Sequence, residues 1–356
     1  MNKRMEKLLK TMNENKVSQI LLTSPYHIKY FTGKMIEPGE RFLGVLITKE
    51  GKCDIFLNKL FSVEEVEGFN VHIYEDKNDP VNLICEFIEK NNILYVDNEL
   101  KSRFLVKIIE KLKNIEIKLG NYLIDNLRVI KDSDEINLMR ESSNINDLAM
   151  EDMIKLVPEM LPEKLLARAV EANLMKHGAS GNSFTPLIAY GKNAAEPHHD
   201  SDKTPLKSGV NVLIDMGGVY KGYCSDMTRT VFFGDPGQKA KDIYNIVLEA
   251  NLKAIEMVKP GMKFSEIDAA ARDFITKKGY GEFFTHRTGH NIGIEVHEWP
   301  DVNENIDILL KPGMIFSIEP GIYLKNILGV RIEDLVLVTE NGVEVLNKYD
   351  KDLLII

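Results

Sequence analysis

Two well-separated stretches of the chain repeat one pattern, and that repeat limits the possible fold more than any other feature of its 356 residues. The strand-like run Val212-Leu-Ile-Asp215, followed by Gly217, has a counterpart in Ile315-Phe-Ser-Ile-Glu319, followed by Gly321. Gly222-x-x-x-Asp226 is matched by Gly329-x-x-x-Glu333, and Leu156-Val-Pro-Glu-Met160 before one helical pattern resembles Val258-Lys-Pro-Gly-Met262 before another. Each half therefore offers two carboxylates, one at the end of a strand and one early in the next. Halves related by a pseudo-twofold would bring Asp215, Asp226, Glu319 and Glu333 to one centre.

Four carboxylates cannot share a buried pocket as bare anions, because desolvation and mutual repulsion force protonation or unfolding. Two divalent cations about 3.5–4 Å apart resolve the conflict. Taken singly, Asp215 reads as a turn residue and Asp226 as an exposed strand residue; duplication at matched glycine spacing favours the metal reading. Histidine gives a second signal. Of eight, five fall in two clusters, His198-His199 and His286, His290 and His297. His27, His72 and His177 read as structural, and His199 as an exposed neighbour of His198. Oxygen ligands with one imidazole suit Mn²⁺, with Co²⁺, Fe²⁺ or Zn²⁺ as further options.

The fold class is α/β (α+β) in two domains. The first third alternates helices and strands. Helices are expected at Lys7–Asn15, Val81–Lys90 and Leu100–Lys113, and strands at Gln19–Thr23, Ile93–Asp97 and Ile115–Leu119. Leu43–Thr48 and Cys53–Leu57 flank a Lys49–Lys52 turn and predict a hairpin. The boundary falls between Gly120 and Ser133, giving domains at 1–125 and 132–356. In the second domain Ser133, with acids behind it, reads as a helix cap for a run to Val157, and Ser265 with Asp268 as a capping box. Strands are expected at Val210–Asp215, Ser225–Phe233, Met314–Glu319 and Val330–Thr339.

The net charge of −9, spread along the chain, argues against nucleic-acid or anionic-membrane partners. Three scattered cysteines, Cys53, Cys85 and Cys224, suit a reducing compartment better than a disulfide framework. Met1–Lys16 lacks the apolar run of a signal peptide, and no stretch approaches the roughly 18 apolar residues of a membrane span. A cytoplasmic protein is expected.

Asp215-x₁₀-Asp226, Gly289-His290, Ile318-Glu-Pro-Gly321 and Val330-Arg-Ile-Glu-Asp334 together resemble the metallopeptidases of the pita-bread fold. Pro197-His-His199, Gly222-Tyr-Cys-Ser-Asp-Met-Thr-Arg229 and His297-Glu-Trp-Pro300 narrow the resemblance to the Xaa-Pro peptidases, prolidase and aminopeptidase P. Ser24-Pro-Tyr-His-Ile-Lys-Tyr-Phe-Thr-Gly33 resembles the start of that group's creatinase-like N-terminal domain. The resemblance implies a hydrolase that cleaves the Xaa-Pro bond of short peptides through a water bridging two metals. Asp215 would chelate one ion, Asp226 and Glu333 would bridge both, and His290 and Glu319 would complete the other. Glu319 would also relay a proton, His297 would support the oxyanion, and His198 would stand across the substrate. Arg331, two residues before Glu333 on one expected strand, would clamp a substrate carboxylate, the plainer role being to pair with Asp226 or Glu333. His286 would bind substrate and Tyr223 would wall the pocket. A homodimer is implied, in which the N-terminal domain helps close the neighbour's pocket.

Asn291 stands where this group usually has glycine. Intact ligands weigh against a catalytically silent peptide-binding protein, and the N-terminal domain weighs against a methionine aminopeptidase. Xaa-Pro dipeptidase and Xaa-Pro aminopeptidase both fit the residues equally.

Overall fold

A computed structural model describes residues 3–61, 63 and 65–356. The chain divides into two compact units between Arg128 and Val129.

In the first unit, α1 (Lys3–Glu14) buries Met5, Leu8 and Met12 on one face and leads into β1 (Gln19–Leu22). Ser24-Pro-…-Gly33 becomes α2 (Pro25–Thr32): Ser24 caps it, Pro25 opens it, and Gly33 ends it in the left-handed region. The predicted hairpin forms between β2 (Gly44–Thr48) and β3 (Cys53–Asn58). β4 (Asn70–Tyr74), α3 (Pro80–Ile84), β5 (Leu94–Val96), α4 (Ser102–Leu112), β6 (Ile117–Leu119) and α5 (Asn121–Arg128) complete the unit. Its sheet runs β4-β3-β2-β1-β5-β6, antiparallel across β3-β2-β1 and parallel elsewhere.

The helix expected over Val81–Lys90 stops at Ile84. Beyond Ile84 the N–H groups of Glu86 and Phe87 bond only three residues back, to the Leu83 and Ile84 carbonyls. Fully buried Gln19 then accepts from the Glu89 N–H at 2.9 Å and donates to the Glu89 carbonyl at 2.8 Å, so that N–H is not available to a helix running on to Lys90.

The second unit is built twice. In its first half α6 (Ser133–Leu156) and α7 (Glu163–Lys176) pack on a sheet of β7 (Leu187–Tyr190), β8 (Val210–Met216) and, beyond the hairpin of β9 (Val219–Tyr220) and β10 (Tyr223–Cys224), β11 (Met227–Phe233). In its second half α8 (Gln238–Met257) and α9 (Phe264–Lys277) pack against a sheet ordered β13-β12-β14-β17-β18. Those strands are β12 (Gly289–Asn291), β13 (Glu298–Val302), β14 (Ile315–Ile318), β17 (Asp334–Val338) and β18 (Val343–Val345); β15 (Gly321–Leu324) and β16 (Leu328–Arg331) form a separate hairpin. The ladder β8·β11 answers β14·β17, both antiparallel, as the repeat requires.

Two caps differ from expectation. Asp132, not Ser133, caps α6: its Oδ1 accepts from the N–H groups of Asp134 and Glu135, and Glu135 returns a bond to the Asp132 N–H. α9 starts earlier than Ser265, with Glu266 Oε2 accepting from the Lys263 N–H at 2.7 Å. Asp268 is buried instead, held by both arms of Arg272 at 2.8 Å and by the Thr288 hydroxyl at 2.6 Å. It fixes the residue that leads into β12. The single strand expected over Val330–Thr339 is two, β16 and β17, with Ile332 and Glu333 between them. Among the described residues no helix is long and apolar enough to cross a membrane.

Candidate metal centre and active site

The two ladders deliver the four acids to one cavity. Asp215 lies in β8 and Asp226 directly before β11; Glu319 follows β14 and Glu333 directly precedes β17. Close backbone contact makes this possible. A Cβ on Gly217 would lie 2.0 Å from the Ser225 carbonyl oxygen, and one on Gly289 would lie 1.9 Å from that of Ser317. Only glycine permits β12 to approach β14 so closely, and this sets His290 beside the acids.

Asp226, His290 and Glu333 place ligand atoms within 4.8 Å of one another. His290 Nε2 lies 3.6 Å from Asp226 Oδ2 and 3.4 Å from Glu319 Oε1. Protein groups hold one oxygen on each of two acids: Arg331 Nη2 donates to Asp215 Oδ2 at 2.5 Å, and Thr228 Oγ1 to Glu333 Oε2 at 2.8 Å. The companion oxygens, Asp215 Oδ1 and Glu333 Oε1, are buried without a partner, and so is Asp226 Oδ1. Buried acceptors ordinarily find donors. Three orphans around one imidazole are what a cation-binding donor set looks like, so these residues fit a metal.

The electrostatics agree. Burial, then the neighbouring acids, pushes the Asp226 and Glu333 carboxyls well above the usual range. Burial raises Glu319 to about 7, against the pull of Arg331. His290 is driven well below an ordinary histidine by burial, with His297 and Arg287 adding to it. It is therefore the neutral imidazole that a metal requires.

A cavity of about 460 Å³ opens over this centre. It is lined by all five expected ligands, by His198, His286, His297 and Arg331, by Pro197 of the Pro197-His-His199 motif, and by four residues that the sequence did not single out: Phe184, Thr185, Leu187 and Arg287. His297 stacks edge-on against His290 with ring centroids 4.3 Å apart. His286 Nδ1–H donates to the Arg287 carbonyl at 2.6 Å, since a carbonyl can only accept. Its Nε2 then accepts from the Tyr323 hydroxyl at 2.7 Å. Burial, with Arg331 nearby, lowers the His286 pKa to about 3, which keeps this tautomer neutral.

Several expected placements are revised. Tyr223 does not line the cavity; it is buried, and its hydroxyl donates to Glu135 Oε1 at 3.0 Å, bracing the start of α6. Arg331 does not share a strand with Glu333, and its guanidinium pairs with Asp215 rather than Asp226 or Glu333. Its Nε donates to Thr228 Oγ1 and its Nη1 to the Tyr323 hydroxyl, at 3.1 and 3.0 Å. His198 is the exposed member of its pair, while His199 is held by Glu163. Asn291 is buried and ties β12 to the Pro300 carbonyl at 2.7 Å. His27, His72 and His177 each face a carboxylate, and none of them lines this cavity.

A family model described as metallopeptidase family M24 matches residues 137–340, and one described as the creatinase/prolidase N-terminal domain matches residues 4–130. The chain belongs to metallopeptidase family M24. An uncharacterized peptidase of Staphylococcus aureus is 39% identical over 98% of this chain and 99% of its own length. The M24 fold is shared with a prolidase from Thermococcus sibiricus, 33% identical with a TM-score of 0.95 over all of both chains. An Xaa-Pro dipeptidase from Bacillus anthracis is also 33% identical, with a TM-score of 0.89 over 99% of each chain. In this M24 chain the creatinase-type domain precedes the pita-bread domain, as the resemblance implied.

Proposed function

We propose that this protein is a metal-dependent Xaa-Pro dipeptidase that holds two divalent cations, Mn²⁺ being the best match to its donors. One observation carries the reading: Asp215, Asp226 and Glu333 each turn a buried, unpartnered oxygen into the cavity that His290 and Glu319 also line. These five residues would hold the ions in the roles that the family resemblance implies, with Asp226 and Glu333 shared, Asp215 serving one ion and His290 with Glu319 the other. Oxygen-rich sets with a single imidazole suit Mn²⁺, with Co²⁺ or Zn²⁺ as competitors. When bound, such a pair acidifies water and polarises the scissile carbonyl.

The remaining chemistry falls to the chain's own side chains. Glu319 moves a proton towards the leaving imino nitrogen. His297, whose pKa is lowered by burial and then by Arg287, presents a neutral ring that donates to the developing oxyanion. His198 stands on the substrate at the open side, and His286 is held in one tautomer at the pocket wall. Phe184, Leu187 and Pro197 supply an apolar surface for a pyrrolidine ring. Arg331 is occupied in holding Asp215. Arg287 is the less buried of the cavity's two arginines and is paired at 2.8 Å with the half-buried Asp301, so we assign a substrate's terminal carboxylate to it.

A panel of X-Pro dipeptides against X-Pro-Pro tripeptides, with Mn²⁺, Co²⁺ and Zn²⁺ each added, tests this reading. Dipeptides should be cleaved at least tenfold faster. Preference for tripeptides would make the protein an aminopeptidase, and inactivity of fully loaded protein would leave a peptide-binding role.

Two wider readings accompany it. The three cysteines are free and buried, which supports a reducing, cytoplasmic setting. The family resemblance supports a homodimer, and a fully active monomer by light scattering would overturn that.

A further inference from the structure

Outside the metal centre Glu163, the first residue of α7, is fully buried, plays no part in the chemistry above and accepts four hydrogen bonds. Oε1 takes the Tyr190 N–H at 2.7 Å and Asn193 Nδ2 at 3.0 Å. Oε2 takes His199 Nε2 at 2.8 Å and the Asp202 N–H at 3.1 Å. Glu163, His199 and Asp202 have metal-ligand spacing. With donors on both oxygens, however, this carboxylate has no lone pair directed at a cation.

All four donors belong to the stretch from Tyr190 to Asp202, and His198 lies inside it. The neck of that loop is closed by the Ser201 hydroxyl, which bonds to both the N–H and the carbonyl of Ile188 at 2.8 and 3.0 Å. The first turn of α7 holds the same segment from the other side: the N–H groups of Glu163 and Lys164 donate to the carbonyls of Thr204 and Asp202. The exposed His198 is the one side chain from this loop, besides Pro197, that reaches the metal cavity. The backbone path therefore sets where its ring stands, and Glu163 sets the backbone path.

We propose that Glu163 is a positioning residue for the peptidase reaction, holding His198 against the substrate through His199, Asn193 and the loop backbone. This rests on the role given to His198 above. Glutamine at this position keeps the shape but offers one acceptor oxygen. Its NH₂ would face two donors, so the loop would have to shift.

The test is a double-mutant cycle on the metal-loaded enzyme with an X-Pro dipeptide: wild type, Glu163→Gln, His198→Ala and the double variant. Metal content and thermal unfolding are measured on each. Glu163→Gln should keep its metal and lower kcat/KM by about 10–100-fold, the usual range for an outer partner of a site residue. It should split between kcat and KM as His198→Ala does, and cost little further in the His198→Ala background. Wild-type activity in Glu163→Gln, or losses that multiply in the double variant, would overturn the proposal while leaving the role of His198 intact. Wild-type activity in His198→Ala would overturn both. If Glu163→Gln does not fold, His199→Ala removes one donor and leaves the carboxylate in place. A cycle built on that variant supports or overturns the proposal by the same outcomes.

Discussion

Arg331 and Asp215 stand 116 positions apart in the chain and meet at 2.5 Å, one from each half of the duplicated unit. Arg331 occupies one oxygen of Asp215, and the other is left orphaned inside the cavity. The cation thus decides which lone pair of the acid faces a metal.

Lysine cannot reproduce that arrangement, because Arg331 donates simultaneously from Nε, Nη1 and Nη2 to three groups. Arg331→Lys should lower kcat/KM by about 10–100-fold. The loss should be equal on X-Pro and on X-Pro-amide, since it arises at Asp215. A loss confined to the free acid would return Arg331 to the carboxylate-clamp role that the family resemblance implied.

Two ions per chain should be found by elemental analysis at saturating Mn²⁺, and a chelator should abolish activity. At most one ion would refute the two-metal centre.

Metal-dependent stability should grow with pH, and the sign follows from the acids. In the metal-free protein Asp226 and Glu333 hold protons well above their ordinary range and Glu319 to about 7. Such groups favour the fold fully only below their unfolded values and lose that contribution as pH rises through the folded ones. His286, His290 and His297 are shifted down, so their contribution is complete once pH exceeds the ordinary histidine value of about 6.5. Between pH 7 and pH 8.5 only the acids should act. The rise in Tm on adding Mn²⁺ should accordingly be larger at pH 8.5 than at pH 7. A constant or shrinking rise would disconnect these carboxylates from the metals.

His297→Ala should cut kcat by about 10²-fold with metal content unchanged, as for loss of an oxyanion donor. An unaltered kcat would remove His297 from the reaction.

Gly289→Ala probes the close approach of β12 to β14. Its methyl group would sit 1.9 Å from the Ser317 carbonyl oxygen, which forces the strand carrying His290 outwards. Lower Tm and weaker Mn²⁺ binding should appear together. Native values for both would show that the backbone yields without moving His290.

The four carboxylates proposed for the metals were legible in the sequence because ligand chemistry restricts residue type strongly and the duplication states that restriction twice; His290 was singled out from its cluster by the family resemblance. The second-domain helices were legible too, since their buried faces follow helical spacing. Caps were less legible: Ser133 and Ser265 have suitable side chains, but Asp132 and Glu266 take the backbone N–H groups. The burial of Asp268 was hidden because its partner Thr288 belongs to another element.

By itself the sequence carried the two-domain α/β order, the repeat and the four acids, because each is written in local pattern or matched spacing, and it singled out His290 only through the family resemblance. Only the tertiary structure decided which oxygen of Asp215, Asp226 and Glu333 is free, that Arg331 serves Asp215, that Tyr223 braces α6, and that Glu163 holds the His198 loop. It also decided that Phe184, Leu187 and Pro197 form the apolar wall. These are contacts between elements distant in the chain, and no local periodicity encodes them. They exist only once both halves have packed and left a buried polar group to be satisfied by whatever donor the fold brings within about 3 Å.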